Sequence, residues 1–127
     1  MKHPSQAIFI STRDSERQEI LEGKKNLTIR EGFRNYVNGH CILCCHRNPW
    51  AVLCDITSVK HVCLIELTLE ECRAEGFEDC NAAMEGLGKF YPNLVMDSPM
   101  TVIRWNNLQG KIVDEFKMNK FKEVRGL

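Results

Sequence analysis

"WAVLCDITSVKHVCLIEL", residues 50–67, decides the fold class. The run is rich in valine and isoleucine and holds neither glycine nor proline, so it reads as β structure. Its 18 residues exceed an ordinary strand of roughly 5–6. A bend near Thr57-Ser58, or a division into two strands, is therefore expected. A helix here would overturn a sheet-based reading of the whole chain.

Working outward, "HCILCCH" (40–46) reads as another strand, bounded by a turn at Asn38-Gly39 and broken by "RNP". "LTIR" (27–30) alternates with period two, and "AIFIS" (7–11) is a short buried strand. Between them "SERQEILEG" is helical, with Ser15 and Gln18 in capping-box spacing and Gly23 as a C-terminal stop. Downstream, residues 68–76 form a helix capped by Thr68 and Glu71, and 77–90 a second helix that "YPN" ends. "MTVIRW" (100–105) is the last core strand. The tail from Lys111 has apolar residues at 112, 113, 116, 121 and 124, an imperfect helical stripe. Strands at both ends around a helical insert predict an α+β fold with a curved sheet or small barrel. "EGF" occurs at 31–33 and 75–77 with unlike flanks, a coincidence rather than a repeat.

A chain of 127 residues suits one domain, spanning 1–127 with a core at 7–106 and a C-terminal extension at 107–127. Lysine plus arginine equals aspartate plus glutamate at 17 each, so net charge points to no polyanion and any nucleic-acid surface must be local. The charges are unevenly spread. Residues 24–34 carry Lys24, Lys25, Arg30 and Arg34 against Glu31, while 66–85 carry seven acids against Arg73. The N-terminus lacks a secretory leader and no apolar run reaches membrane-spanning length, so a cytoplasmic location and no membrane partner are expected. Seven cysteines then read as free thiols.

One stretch asks for more than a surface hairpin needs. "GKKNLTIRE" (23–31) places two ammonium groups, a hydroxyl and a guanidinium on a turn running into a strand. With it go "ILEGKKNLTIRE" (20–31), "NGH" (38–40), "AEGF" (74–77), "FYPN" (90–93) and "MTVIRW" (100–105). In these residues, their order and their spacing, the chain resembles the ASCH domain family of the PUA-like superfamily. The family's usual Gly-Asp before the third strand is here Gly39-His40. The resemblance implies a PUA-like β-barrel with helices flanking a cleft that accepts RNA or a modified nucleoside. It resembles, among these, small bacterial members that look like amidohydrolases acting on 4-N-acetylcytidine. It implies Lys25, Thr28 and Glu75 as catalytic residues, and neither cofactor nor metal.

The chemistry suits those residue types. Amide hydrolysis needs a nucleophile, a base and a group facing the developing oxyanion. Thr28 can be the nucleophile or position a water. Lys25 can act as base if desolvated, or hold the oxyanion. Glu75 can shuttle a proton to the leaving amine or orient Lys25. Arg30, on the strand face of Thr28, can pair with Glu75 or grip a phosphate or base carbonyl. Phe33, Tyr36 and Trp50 lie in or beside loops and are candidates for stacking on a base, or for capping the barrel core.

A structural ion-pair network of Lys25, Arg30 and Glu75 is the bland alternative. Zinc at "HCILCCH" with Cys54, His61 and Cys63 is opposed by geometry, since strand alternation puts Cys41 and Cys45 on one face and Cys44 and His46 on the other. Three functions follow in order: nucleoside amidohydrolase, non-catalytic RNA-binding module, and ribonuclease. Lys111, Lys117, Lys120, Lys122 and Arg125 in the tail favour the second.

Overall fold

The structure is a computed structural model that describes residues 6–10, 13–45, 47, 50–109 and the backbone of 111–113. Strands β1 (Ala7–Phe9), β2 (Leu27–Glu31), β3 (Gly39–Cys45), β4 (Trp50–Cys63), β5 (Pro99–Asn106) and β6 (Lys111–Val113) alternate with helices α1 (Asp14–Leu21), α2 (Leu69–Glu75) and α3 (Cys80–Phe90). The main sheet runs β1-β3-β4-β5-β2, with β6 paired to β4. β1 is parallel to β3 and the other pairings are antiparallel. The fold is thus α+β, with the five strands curled into a partial barrel.

The 50–67 run is one continuous strand to Cys63 and then a 3₁₀ turn over Leu64–Glu66. Its bend is a register shift between Ile56 and Ser58, where β4 slips by a residue against β5. Such a shift bends the strand and raises its twist, which lets a long strand follow a curling sheet. β4 thus pairs with β3 through its first half and with β5 through its second.

Period-two alternation sorts the side chains onto two faces. Inside the curl, Ile8, Ile20 of α1, Leu43, Val52, Ile56, Ile103 and Trp105 form one core. On the outer face, Leu27, Ile29, Met100 and Val102 pack against Leu67, Cys72, Ala83 and Leu87. α2 and α3 therefore cover the β2–β5 side, whose apolar residues would otherwise face water. The curl brings the two edge strands together. Arg30 of β2 donates from Nη2 to the Phe9 carbonyl of β1 at 2.6 Å, which bridges the seam.

Several boundaries differ from the sequence reading for local reasons. Arg13, not Ser15, is the N-cap residue of α1, and no side chain caps it; Ser15 lies within the first turn. Thr68 caps α2 in the anticipated box with Glu71. Asp79 opens α3 by accepting from the Ala82 amide at 2.8 Å, so residues 77–79 are a connection rather than helix. The tail begins as a strand, Lys111–Val113, because β4 offers it a free edge. Residues 114–127 lie outside the described residues, as does the tail's anticipated helical stripe beyond 113. Among the described residues, no helix is long and apolar enough to cross a membrane.

After β2 the chain makes a loop, 32–38, that is tied to the sheet through Thr101. This fully buried hydroxyl donates to Gly32 O at 2.6 Å and accepts from Arg34 N at 2.8 Å. Thr101→Val keeps the shape but leaves a buried carbonyl and amide unpaired. Urea denaturation should show a loss of about 1–3 kcal/mol; an unchanged midpoint would mean that the loop is held by other contacts.

Candidate active site

The turn after α1 explains why two adjacent lysines have unlike fates. Gly23 takes φ 77°, a conformation that costs glycine little, and lets the chain reverse over the helix end. The amides of Lys24 and Lys25 then both point back at Glu19 O, at 2.9 and 3.2 Å. Lys24 remains in solvent beside Glu22. Lys25 is turned inward and is only 4% exposed.

Its amine meets three acceptors. Nζ lies 2.8 Å from Glu75 Oε1, 2.7 Å from the Glu75 carbonyl and 3.5 Å from Glu16 Oε1. An ammonium has three donors and no acceptor; two of them are hydrogen-bonded to Glu75, and Glu16 completes the surrounding as an ion pair at the longer distance. The contact to the Glu75 carbonyl also caps the C-terminus of α2, where a cation is favoured. Gly76, at φ 119°, ends that helix directly after Glu75.

The second carboxylate oxygen of Glu75 accepts from the backbone amide of Ile29. β2 is an edge strand, so this amide has no neighbour in the sheet, and the carboxylate takes the place of one. Burial pushes the Glu75 carboxyl above the ordinary carboxylate range. Lys25, the Ile29 amide and Arg30 pull it down without cancelling that effect.

Thr28 lies opposite Ile103 in the register, on the inner face of the sheet, and is 3% exposed. Its Oγ1 accepts from Arg30 Nε at 3.1 Å and makes no hydrogen bond to Lys25 among the described residues. An oxygen that accepts from a guanidinium keeps its own proton to donate. Arg30 therefore touches Thr28 directly and acts on Glu75 through its charge.

The aromatic candidates divide. Phe33 is 57% exposed and stacks on His61 with centroids 4.9 Å apart. Tyr36 is half-buried, its hydroxyl donating to Ala7 O at 3.1 Å. Trp50 is 7% exposed and belongs to the inner core; the structure gives it no face to offer a ligand.

Glu16 is the residue that sequence reasoning missed. It stands four positions before Ile20, the buried anchor of α1, so both lean toward the sheet. That spacing was the available signal.

No disulfide joins the cysteines among the described residues. Cys41 and Cys45 are buried on the inner face and Cys44 points the other way, as strand alternation requires. Cys72 and Cys80 lie 3.5 Å apart at sulfur, beside the helix that carries Glu75. Burial pushes the Cys72 thiol up to about 12, which makes it a packing group rather than a nucleophile. Among the described residues no three of histidine, cysteine, aspartate and glutamate gather as a metal would require.

No protein-family profile, curated protein or solved structure matches the chain.

Breaking a buried ion pair from one side leaves the other charge stranded, at about 3–5 kcal/mol. Lys25→Met should lose about that much and Glu75→Gln somewhat less. The double variant should lose at least about 1 kcal/mol less than the sum, because the two sites are coupled. A denaturation cycle measures this; additive losses would show that the residues stabilise the fold independently.

Proposed function

We propose that the chain is an amidohydrolase of the PUA-like, ASCH type that removes the acetyl group from 4-N-acetylcytidine or a related acylated nucleobase. The observation that carries this reading is the buried Lys25–Glu75 contact. It joins the Gly-Lys-Lys-x-x-Thr turn to the Ala-Glu-Gly-Phe helix end, the two segments on which the family likeness rests. The curled sheet with α2 against β2 agrees with that likeness.

In this reading Thr28 Oγ1, on the inner face of β2, attacks the acetyl carbon, and its proton passes through an intervening water to Glu75 at the strand edge. The raised affinity of that carboxyl for a proton suits it to the task. Lys25 keeps its proton: two of its N–H groups are held by Glu75, and the third, 3.5 Å from Glu16, is the donor left for the oxyanion. Arg30 stabilises the Thr28 oxygen as it loses its proton. Collapse of the tetrahedral intermediate breaks the C–N bond, and Glu75 returns the proton to the leaving exocyclic amine. Water then hydrolyses the acetyl-threonine, so the products are cytidine and acetate.

A second reading, a binding module without chemistry, is favoured by one observation: Lys25 spends a donor on the helix-end carbonyl, as a purely structural cap would. Incubation with 4-N-acetylcytidine separates the two. Cytidine and acetate should appear in equal amounts. Thr28→Ala should remove turnover, Glu75→Gln should slow it by about 10²–10⁴-fold, and the pair together should be no worse than the more damaging single change. Glu75 must start ionised, so kcat/KM should rise with pH through a midpoint above the ordinary carboxylate range. Absence of product would leave the binding module; full activity in Thr28→Ala would remove Thr28 as the nucleophile.

A further inference from the structure

The loop after β2 builds a second polar feature that the Lys25–Glu75 site does not use. Gln6, Ala7, Arg34, Asn35 and Tyr36 line an open pocket of about 370 Å³. The pocket is pre-formed. Gln6 Nε2 donates to Val37 O and His40 O at 2.8 and 3.0 Å, its Oε1 accepts from Val37 N at 3.1 Å, and Tyr36 holds Ala7 O. Arg34 is fixed at three points: its amide on Thr101, its Nε on Glu31 O at 2.8 Å, and its carbonyl on His61 Nε2 at 2.9 Å. No carboxylate among the described residues pairs with its guanidinium, so both terminal nitrogens are unspent. Beside it Phe33 lays one ring face on His61 and, at 57% exposure, presents the other to solvent.

A clamped arginine with unspent donors next to a braced, exposed ring matches a phosphate linked to a planar base. We propose that residues 33–36 form a subsite for a nucleotide further along a chain, with its phosphate on Arg34 and its base on Phe33, so that a single strand binds more tightly than a free nucleoside. The assignment of a strand across both sites rests on the function proposed above; the subsite itself does not. β2 separates the two sites, and five residues at roughly 3.3 Å each span more than one nucleotide can. Arg30 lies between them on the seam, bonded to Phe9 O. Stacking on a free ring face requires an unpaired base, so a duplex does not fit.

The test is fluorescence anisotropy on the full chain with a labelled, non-self-complementary RNA octamer, the same octamer as duplex, and cytidine monophosphate as competitor. The single-stranded octamer should bind at least about tenfold more tightly than the mononucleotide or the duplex. Phe33→Leu, which keeps bulk but removes the ring face, should weaken the octamer about tenfold. Arg34→Gln should do likewise and lower the salt slope by about 0.7, the value for one phosphate on a single strand; Arg34→Lys should keep the slope. Melting curves on the same samples confirm that each variant folds. Octamer binding no tighter than mononucleotide binding, or unaltered in both Phe33→Leu and Arg34→Gln, would overturn the subsite. Failure to deacetylate with these binding results intact would remove the amidohydrolase reading alone. Deacetylation with no length dependence would remove the subsite alone.

Discussion

An ammonium and a carboxylate, 50 residues apart in the chain, meet where almost no water reaches them. Everything near the site depends on that contact. Lys25 is inward because the Gly23 turn hangs its backbone on Glu19 O. Glu75 is there because α2 ends at that residue and its last turn packs on the edge of β2. Charges removed from water are stable only when paired and hydrogen-bonded. Here the requirement is met in full: the amine has three acceptors, and the carboxylate has the amine on one oxygen and a strand amide on the other. The contact therefore serves as a fold constraint as well as a chemical one. It closes the free edge of β2 and caps α2 at once.

The same arrangement explains how opposite charge clusters coexist in a chain with no net charge. One pair, Lys25–Glu75, joins the basic 24–34 segment to the acidic 66–85 segment, and cations from the middle of the sheet take two more of the acids. Lys25 pairs with Glu75, Arg104 of β5 takes Glu70 bidentately at 2.7 and 2.8 Å, and Lys60 of β4 takes the buried Glu71 at 2.9 Å. Two of these pairs reach the surface and contribute little. The Lys25 pair is desolvated and contributes most of the constraint. Arg30 and Arg34 are left on the seam side, facing a pocket and the inner sheet rather than acids, which is where an anionic ligand would find them.

Much of this was legible in the sequence, for identifiable reasons. Period-two alternation is strict in 27–30, which is a strand, and the apolar runs at 40–45 and 100–105 are strands as read. The Thr68–Glu71 box is local chemistry and appears as read. Ser15 failed as a cap because the helix starts two residues earlier than its capping spacing implies, at Asp14. The end of β4 at Cys63 was hidden because "LIEL" is as apolar as the strand before it; only the 3₁₀ turn at Leu64–Glu66 shows the break. Trp50 reads as a loop aromatic next to "RNP", yet it opens β4 and its strand phase sends it inward. The partnership of Lys25 with Glu75 came from the family likeness and not from periodicity, since no local pattern encodes a contact between a turn and a helix end. Glu16 carried a signal, its spacing from Ile20, but one acid among the three of a polar helix gives no reason to look. The free guanidinium of Arg34 is a tertiary fact throughout: it depends on which acids the fold sends elsewhere.

The central claim is that the Lys25 amine is locked between Glu75 and Glu16 inside the protein. Its proton exchange with water reports this directly, and Lys24, exposed one residue away, is an internal control. In a nitrogen-15 NMR spectrum recorded at low temperature and mildly acidic pH, the account predicts a slowly exchanging Lys25 ammonium signal that disappears in Glu75→Gln, with Lys24 exchanging too fast to be seen. A Lys25 amine that exchanges as rapidly as that of Lys24 would contradict it.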